Sequence, residues 1–372
     1  MSTQNAVREM EHIAGVAPRY VAEFVCLDQD CPVSCPVEDN AGSCPAYPRW
    51  LWFNGSQVEM CGLLSCPEMA RLCLGQDQSM DLTGFDATSL FEDQTMPSEA
   101  DNTRPFVAHE STVKQVILDV LALEHRPLAA RIFALASFGR DMDTVFGAES
   151  FQEQDMALAV EALSSGRYFQ VWEETGGENA DSAAVAMAVV QLFFDRLVRD
   201  AADADLQNTV KDALAVYAAD EGTAEMLHQG AEGIRLDCAV LAAAWKQRME
   251  RLPSELFQQV ESMLTRVLQN RVLSCPYVLS SSLSGYVQDL GVISAALRFL
   301  LLSHPDVDQV CRAENETDRS RAGERFGRTG AESVSRVFRA MDKSPQVMAE
   351  LDAALQKEGL TGRGLSHMLA GM

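Results

Sequence analysis

Residues 111–123, STVKQVILDVLAL, and residues 127–146, PLAARIFALASFGRDMDTVF, decide the fold class. In the first stretch apolar side chains recur at 113, 116, 117, 120 and 121, the three-and-four spacing of one helical face, with Ser111 placed as an N-cap. In the second, Pro127 suits the opening turn of a helix, and a run rich in Leu, Ala, Ile and Phe follows it. The same periodicity predicts helices over about 151–164, 182–200, 205–219, 237–250, 254–271, 285–303, 331–341 and 345–357. The links between them are mostly short, which folds consecutive helices back antiparallel. The expected fold is mainly α, with a helical bundle-like domain over 109–372 and no repeat of fixed period.

Towards the N-terminus the text changes twice. Residues 81–108 are acidic, polar and without period, and read as a linker or surface loop. Residues 1–80 form an irregular cysteine-rich module, because seven of the ten cysteines (26, 31, 35, 44, 61, 66 and 73) fall there. Pro32, Pro36, Pro45 and Pro48 break any continuous helix. A hairpin through 49–53 and 57–61, turning at Asn54-Gly55, is expected next. SCPEMARLCL then reads as a helix, with Ser65 as N-cap, Pro67 in the first turn and Glu68 closing a capping box.

A formal charge of −24 excludes the usual nucleic-acid binder, which needs a positive patch to gain from counterion release. It suits a basic or lysine-bearing partner. The opening residues lack a basic segment followed by an apolar one, and the longest strongly apolar run, near 292–302, is too short to span a bilayer. The expectation is a cytoplasmic protein without a transmembrane segment. In that compartment thiols stay reduced, and clustered cysteines bind metal more often than they pair.

Cys26, Cys31, Cys35 and Cys44 stand at spacings x4, x3 and x8, and Cys66 follows at the head of the predicted helix. Thiolates are soft anionic donors, and several on one loop converge on a metal at little entropic cost. Structural zinc favours tighter knuckles than these, whereas an iron–sulfur cubane tolerates wider spacing. Spacing therefore favours a metal site, with an iron–sulfur cluster ahead of zinc, and unmetallated cysteines as the remaining reading.

The strings FVCLDQDCPVSC, SCPAYPRW and LLSCPEMARLCL, in that order, resemble the flagellin lysine-N-methylase family. The residues that carry the resemblance are Cys26, Cys31 and Cys35, then Cys44 with Tyr47-Pro48-Arg49, then Ser65-Cys66-Pro67-Glu68 with Arg71. Fainter likenesses follow in PLAARIFALASFGRDMD, GYVQDLGVISAALRFLLLSHP and SVSRVFRAMDKSP. The resemblance implies methyl transfer from S-adenosylmethionine to surface lysines of flagellin, dependent on a cysteine-held iron–sulfur cluster of the 4Fe-4S kind. The sequence departs from the family pattern at Pro36, where a second cysteine is usual, in the eight residues between Cys35 and Cys44, and at Lys343, where the family has histidine. Two outcomes are open: a minimal ligand set of Cys26, Cys31, Cys35 and either Cys44 or Cys66, or a chain that has lost its cluster. A non-catalytic, metal-binding helical interaction protein is the alternative function.

Under the methylase reading, a lysine near pH 7 must lose a proton it holds with a reference pKa of about 10.4, which costs about 4–5 kcal/mol. The site must therefore be less acidic than the exterior, since nearby carboxylates would raise that pKa. Glu68, Arg49 and Arg71 are the candidate catalytic residues, and Arg49, Trp50 and Arg71 the candidates for cofactor binding. The arginines could pair with the cofactor carboxylate or offset the charge of the cluster. No glycine-rich loop follows a predicted strand, so a Rossmann methyltransferase is not expected.

Overall fold

The computed structural model describes residues 21–23, 49–54, 57–62, 64–65, 67–74, 105–174, 180–217, 237–275, 277–313 and 315–357. Cys26, Cys31, Cys35, Cys44 and Cys66 lie outside these residues, as does residues 81–104 of the expected linker. Strands β1 (Val21–Glu23), β2 (Arg49–Asn54) and β3 (Gln57–Gly62) form an antiparallel sheet in that order. The hairpin follows the sequence signal, shifted by one residue. Asn54, expected in the turn, ends β2 and pairs with Gln57.

Fourteen helices account for most of the other described residues. In chain order they are α1 (Pro67–Leu74), α2 (Pro105–Ala108), α3 (Glu110–Leu121), α4 (Leu128–Phe146), α5 (Glu153–Ser164), α6 (Arg167–Glu174) and α7 (Ala180–Ala201). They continue as α8 (Ala204–Ala215), α9 (Cys238–Met249), α10 (Ser254–Ser274), α11 (Leu283–Leu302), α12 (Pro305–Arg312), α13 (Glu316–Lys343) and α14 (Val347–Lys357). The protein is mainly α. Side-chain caps start five of these helices: Asp203, Asp237, Ser282, His304 and Asn315 each accept a backbone N–H of the first turn. Ser111 is not a cap, because α3 begins one residue earlier.

Several elements differ from the periodicity reading. Residues 105–108, assigned to the linker, are helical, and Phe106 packs edge-on against Phe146 and Tyr277 at 5.6 and 4.9 Å. Helices α6 and α12 are too short to show a period. A glycine in the left-handed region, Gly166 at φ 79°, separates α5 from α6. Helix α13 extends fifteen residues further upstream than 331, through Gly323 and Gly327. Its N-terminal half is tied to α12 instead: the Arg325 Nε and Thr329 hydroxyl groups both donate to the buried Asp306 carboxylate, at 3.1 and 3.0 Å. Tertiary bonds thus outweigh the roughly 1 kcal/mol that each helical glycine costs.

Helix α11 is the centre of the core. Helices α4, α7, α8, α10 and α13 all pack on it. It is long and apolar enough to cross a membrane by length and composition, yet 89% of that stretch is buried inside the protein. An apolar helix covered on all sides by other helices is a core element. Each Leu, Ile, Val or Phe buried along it contributes about 1.5–3 kcal/mol. Its one buried cation, Arg298, pairs with Glu261 of α10 at 3.1 Å and lies over the Phe257 ring. Glu261 also accepts the Leu128 N–H at the start of α4, where the buried Arg131 donates to the Leu121 carbonyl and the Thr265 hydroxyl. The polar groups admitted to the core thereby fix how α3, α4, α10 and α11 meet.

The start of α11 is seated on α4. Asp143 accepts the Leu283 and Ser284 N–H groups at 2.7 and 3.0 Å. One turn earlier, a Cβ on Gly139 would meet the Ser284 and Leu283 backbone at 3.2–3.3 Å. Gly139→Ala is expected to force the helices apart and lower stability by about 1–3 kcal/mol. Asp143→Ala should cost about 1–2 kcal/mol through the lost cap. Urea unfolding followed by circular dichroism checks both, and an unchanged midpoint in both variants would refute the seating.

Candidate functional site

The motif segment around Cys66 is docked along a seam between α10 and α13, against which α1 packs, while β3 rests on α10. Leu64, Ala70 and Leu74 are its buried apolar contacts. Polar bonds hold both ends. The Ser65 carbonyl accepts the Ser335 hydroxyl at 2.9 Å and an Arg339 guanidinium N–H at 3.5 Å, and the Leu74 carbonyl accepts Arg266 at 3.0 Å. Ser65 was expected to cap the helix. Instead α1 starts at Pro67, and Ser65 hydrogen-bonds through its side chain to the Asp342 carboxyl.

Arg271, at the end of α10, lies in the electrostatic field of Cys275, Tyr286, Asp342 and Asp289. Burial opposes its charge, yet these neighbours outweigh that and hold the guanidinium above its ordinary pKa. Tyr286 is buried and donates to the Cys275 carbonyl at 2.9 Å, and burial raises its phenol well above the ordinary value. Burial and the nearby Asp352 carboxylate push Asp289 up to about 7, with Arg271 opposing. Among the described residues its Oδ1 has no hydrogen-bond partner. Asp352 is itself raised by burial, and accepts Gln288 Nε2 at 2.7 Å.

The second feature of the seam is a cavity of about 340 Å³ lined by Pro67, Arg71, Arg328 and Glu332. The segment from Ser65 to Leu74 thus runs past Arg266, Arg328 and Arg339 and carries Arg71 itself. In a chain of formal charge −24 this is a local concentration of guanidinium groups. It can stabilise anionic thiolates or a carboxylate, and Asp289 offers a proton acceptor poised near neutrality.

Of the residues singled out by sequence, Arg71 is exposed on α1 and lines the cavity. Arg49 and Trp50 lie on β2, in register with Gly62 and Cys61 of β3, which places Arg49 across from a residue four positions before Cys66. Their side chains, and those of Glu68 and the five candidate cysteine ligands, lie outside the described residues. Among the described residues no group of three or more His, Cys, Asp or Glu is placed to hold a metal ion. Lys343 pairs with Asp203 at 3.3 Å and so supports the cap of α8.

Sequence reasoning missed Arg271, Cys275, Asp289, Arg328 and Glu332. Two signals were legible. Asp289 is the one acidic residue in the apolar text of 283–302. Cys275 stands in a Ser-Cys-Pro tripeptide, the same setting as Cys35, Cys44 and Cys66.

No protein-family model matches the chain, and neither the curated proteins nor the solved structures provide a match.

Folded Asp289 binds a proton up to about pH 7, whereas an unfolded aspartate releases it near 3.9. The native state holds the extra proton between those values, so this residue makes stability fall as pH rises through that window and adds nothing further above it. Asp289→Asn should flatten this part of the profile. Urea midpoints compared at pH 5 and pH 8 are the check, and equal pH dependence in variant and wild type would count against the assignment.

Proposed function

We propose that the protein is an S-adenosylmethionine-dependent protein lysine N-methyltransferase with flagellin-type substrates, using an iron–sulfur cluster held by its motif cysteines. The ligand candidates are Cys26, Cys31, Cys35 and Cys44 or Cys66, joined by Cys275 through its shared Ser-Cys-Pro setting. The observation that carries this reading is the arginine-rich seam in which the Cys66 segment is docked.

The residues of the seam fit such a group. A thiolate-ligated cluster is anionic, and Arg266 and Arg339 hold the two ends of the segment that Cys66 heads. When bound, the cluster would supply an open iron position or an electron to the sulfonium cofactor, and the cofactor an activated methyl group. The chain's own residues provide the rest. Its negative exterior attracts a lysine-bearing protein. The guanidinium groups at the seam lower the pKa of an incoming ammonium, as the sequence reading requires of the site. Asp289 is the group assigned to take the released proton, because it titrates at the pH where the enzyme would work.

Purification without oxygen is the test. The protein should be brown, carry about four irons per chain and absorb near roughly 400 nm. Cys26→Ala and Cys275→Ala should each lose most of that iron. Incubation with flagellin and S-adenosylmethionine should methylate lysines, and Asp289→Asn should slow this about 100-fold or more at pH 7. Colourless protein with one zinc per chain would replace the reading by a structural metal site, and iron-replete protein that neither binds the cofactor nor methylates flagellin would leave an interaction protein.

A further inference from the structure

The link between α12 and the first half of α13 depends on one carboxylate and one imidazole. Asp306 is buried at the start of α12, and its carboxylate takes three donors: Arg325 Nε at 3.1 Å and Gln309 Nε2 at 3.2 Å on Oδ1, and the Thr329 hydroxyl at 3.0 Å on Oδ2. Arg325 and Thr329 belong to α13, so this side chain ties the two helices together. His304 caps α12 by accepting the Asp306 N–H at Nδ1, 3.1 Å away. The other side-chain caps among the described residues are Asp203, Asp237, Ser282 and Asn315, whose oxygens accept at every pH near neutrality. A histidine accepts only while Nδ1 carries no proton.

A proton on Nδ1 removes the acceptor and leaves the Asp306 N–H facing a second N–H. The imidazolium is drawn instead to Asp306 Oδ2, 3.7 Å from Nδ1, the oxygen that holds the Thr329 hydroxyl. Thr329 has another acceptor within reach, the Arg325 carbonyl of its own helix at 3.2 Å. Two arrangements are therefore available. With His304 neutral, the ring caps α12 and Thr329 ties α13 to it. With His304 charged, the ring pairs with Asp306, the cap is lost and Thr329 turns back onto α13. The charged groups that face the ring are Asp306 on α12, Arg325 and Arg336 on α13, and Asp212 on α8. Burial holds the imidazole below its ordinary value, the two arginines add to that, and the two carboxylates oppose it.

We propose that His304 is an acid-sensitive latch, whose protonation uncaps α12 and releases the first half of α13 from Asp306. The latched ring is neutral where a released one, with an ordinary pKa of about 6.5, takes up a proton. The latch is therefore at full strength above that value and weakens as pH falls through it. Arg328, one residue before Thr329, lines the cavity beside Pro67, so acid acts on the helix against which the Cys66 segment is docked. The latch rests on hydrogen-bond geometry alone and is independent of the methyltransferase reading.

Hydrogen exchange of the full chain, read by mass spectrometry and corrected at each pH for the intrinsic amide rate, tests the latch. Between pH 7.5 and pH 5, peptides from 305–312 and 316–329 should lose protection about five-fold or more, the effect of losing one helix cap, while peptides from α4 should not. His304→Ser, which caps at both pH values, should keep those peptides at their pH 7.5 protection throughout. His304→Asn, a second cap that does not titrate, should do the same. Thr329→Val should speed exchange in 316–329 at both pH values and leave the acid response of 305–312 in place. Wild-type protection that is equal at the two pH values would overturn the proposal. So would an acid response retained in either His304 variant, or a loss that spreads equally to α4.

Discussion

A twenty-residue helix that is apolar on nearly every side is stable in water only when something covers every side. Helix α11 imposes that constraint here, and the placement of α4, α7, α8, α10 and α13 is the answer to it. Burial supplies the driving force but no direction, because one leucine face packs on another in many ways. Direction comes from the few polar groups that enter the core. Arg298 with Glu261, Arg131 with Thr265 and the Leu121 carbonyl, and Asp143 with the first N–H groups of α11 each have a single satisfying geometry. A buried charge without its partner is costly, so these contacts exclude alternative registers more than they add stability.

The same α10 and α13 helices that cover α11 present their outer flanks to the cysteine-bearing segment. A charged seam therefore lies directly over the core. Arg271 sits among Asp289, Asp342, Cys275 and Tyr286, and burial shifts the balance of each charge. The arginines of the seam are what distinguish this place from the rest of an acidic surface. By their sign they favour thiolates and carboxylates and disfavour a nearby cation.

Much of this was legible beforehand, and the reasons are specific. The hairpin of β2 and β3, the helix from Pro67 and the helices α3 to α5, α7 and α9 to α11 carry local signals strong enough to stand alone: turn residues, prolines in first turns, and apolar periodicity over three or more turns. Helices α6 and α12 are only two turns long, and the first half of α13 hides its period behind glycines and alternating charge. Those elements form because neighbours hold them, as Asp306 holds Arg325 and Thr329. Ser65 illustrates the limit most simply. Its position before a helix reads as a cap, but a carboxyl more than two hundred residues away claims its hydroxyl.

By itself the sequence determined the helical class, the separate character of the cysteine-rich N-terminal text, and Arg71 as a residue to watch, since composition, period and turn chemistry are local properties of a chain. Only the tertiary structure decided that Arg71 faces Arg328 and Glu332, that Ser65 meets Asp342, and that Arg271 gathers Cys275 and Asp289 around it. These groups are far apart in sequence and become neighbours through the packing of α1, α10, α11 and α13. Their ionisation depends on burial and on one another, and neither quantity exists until the helices have met.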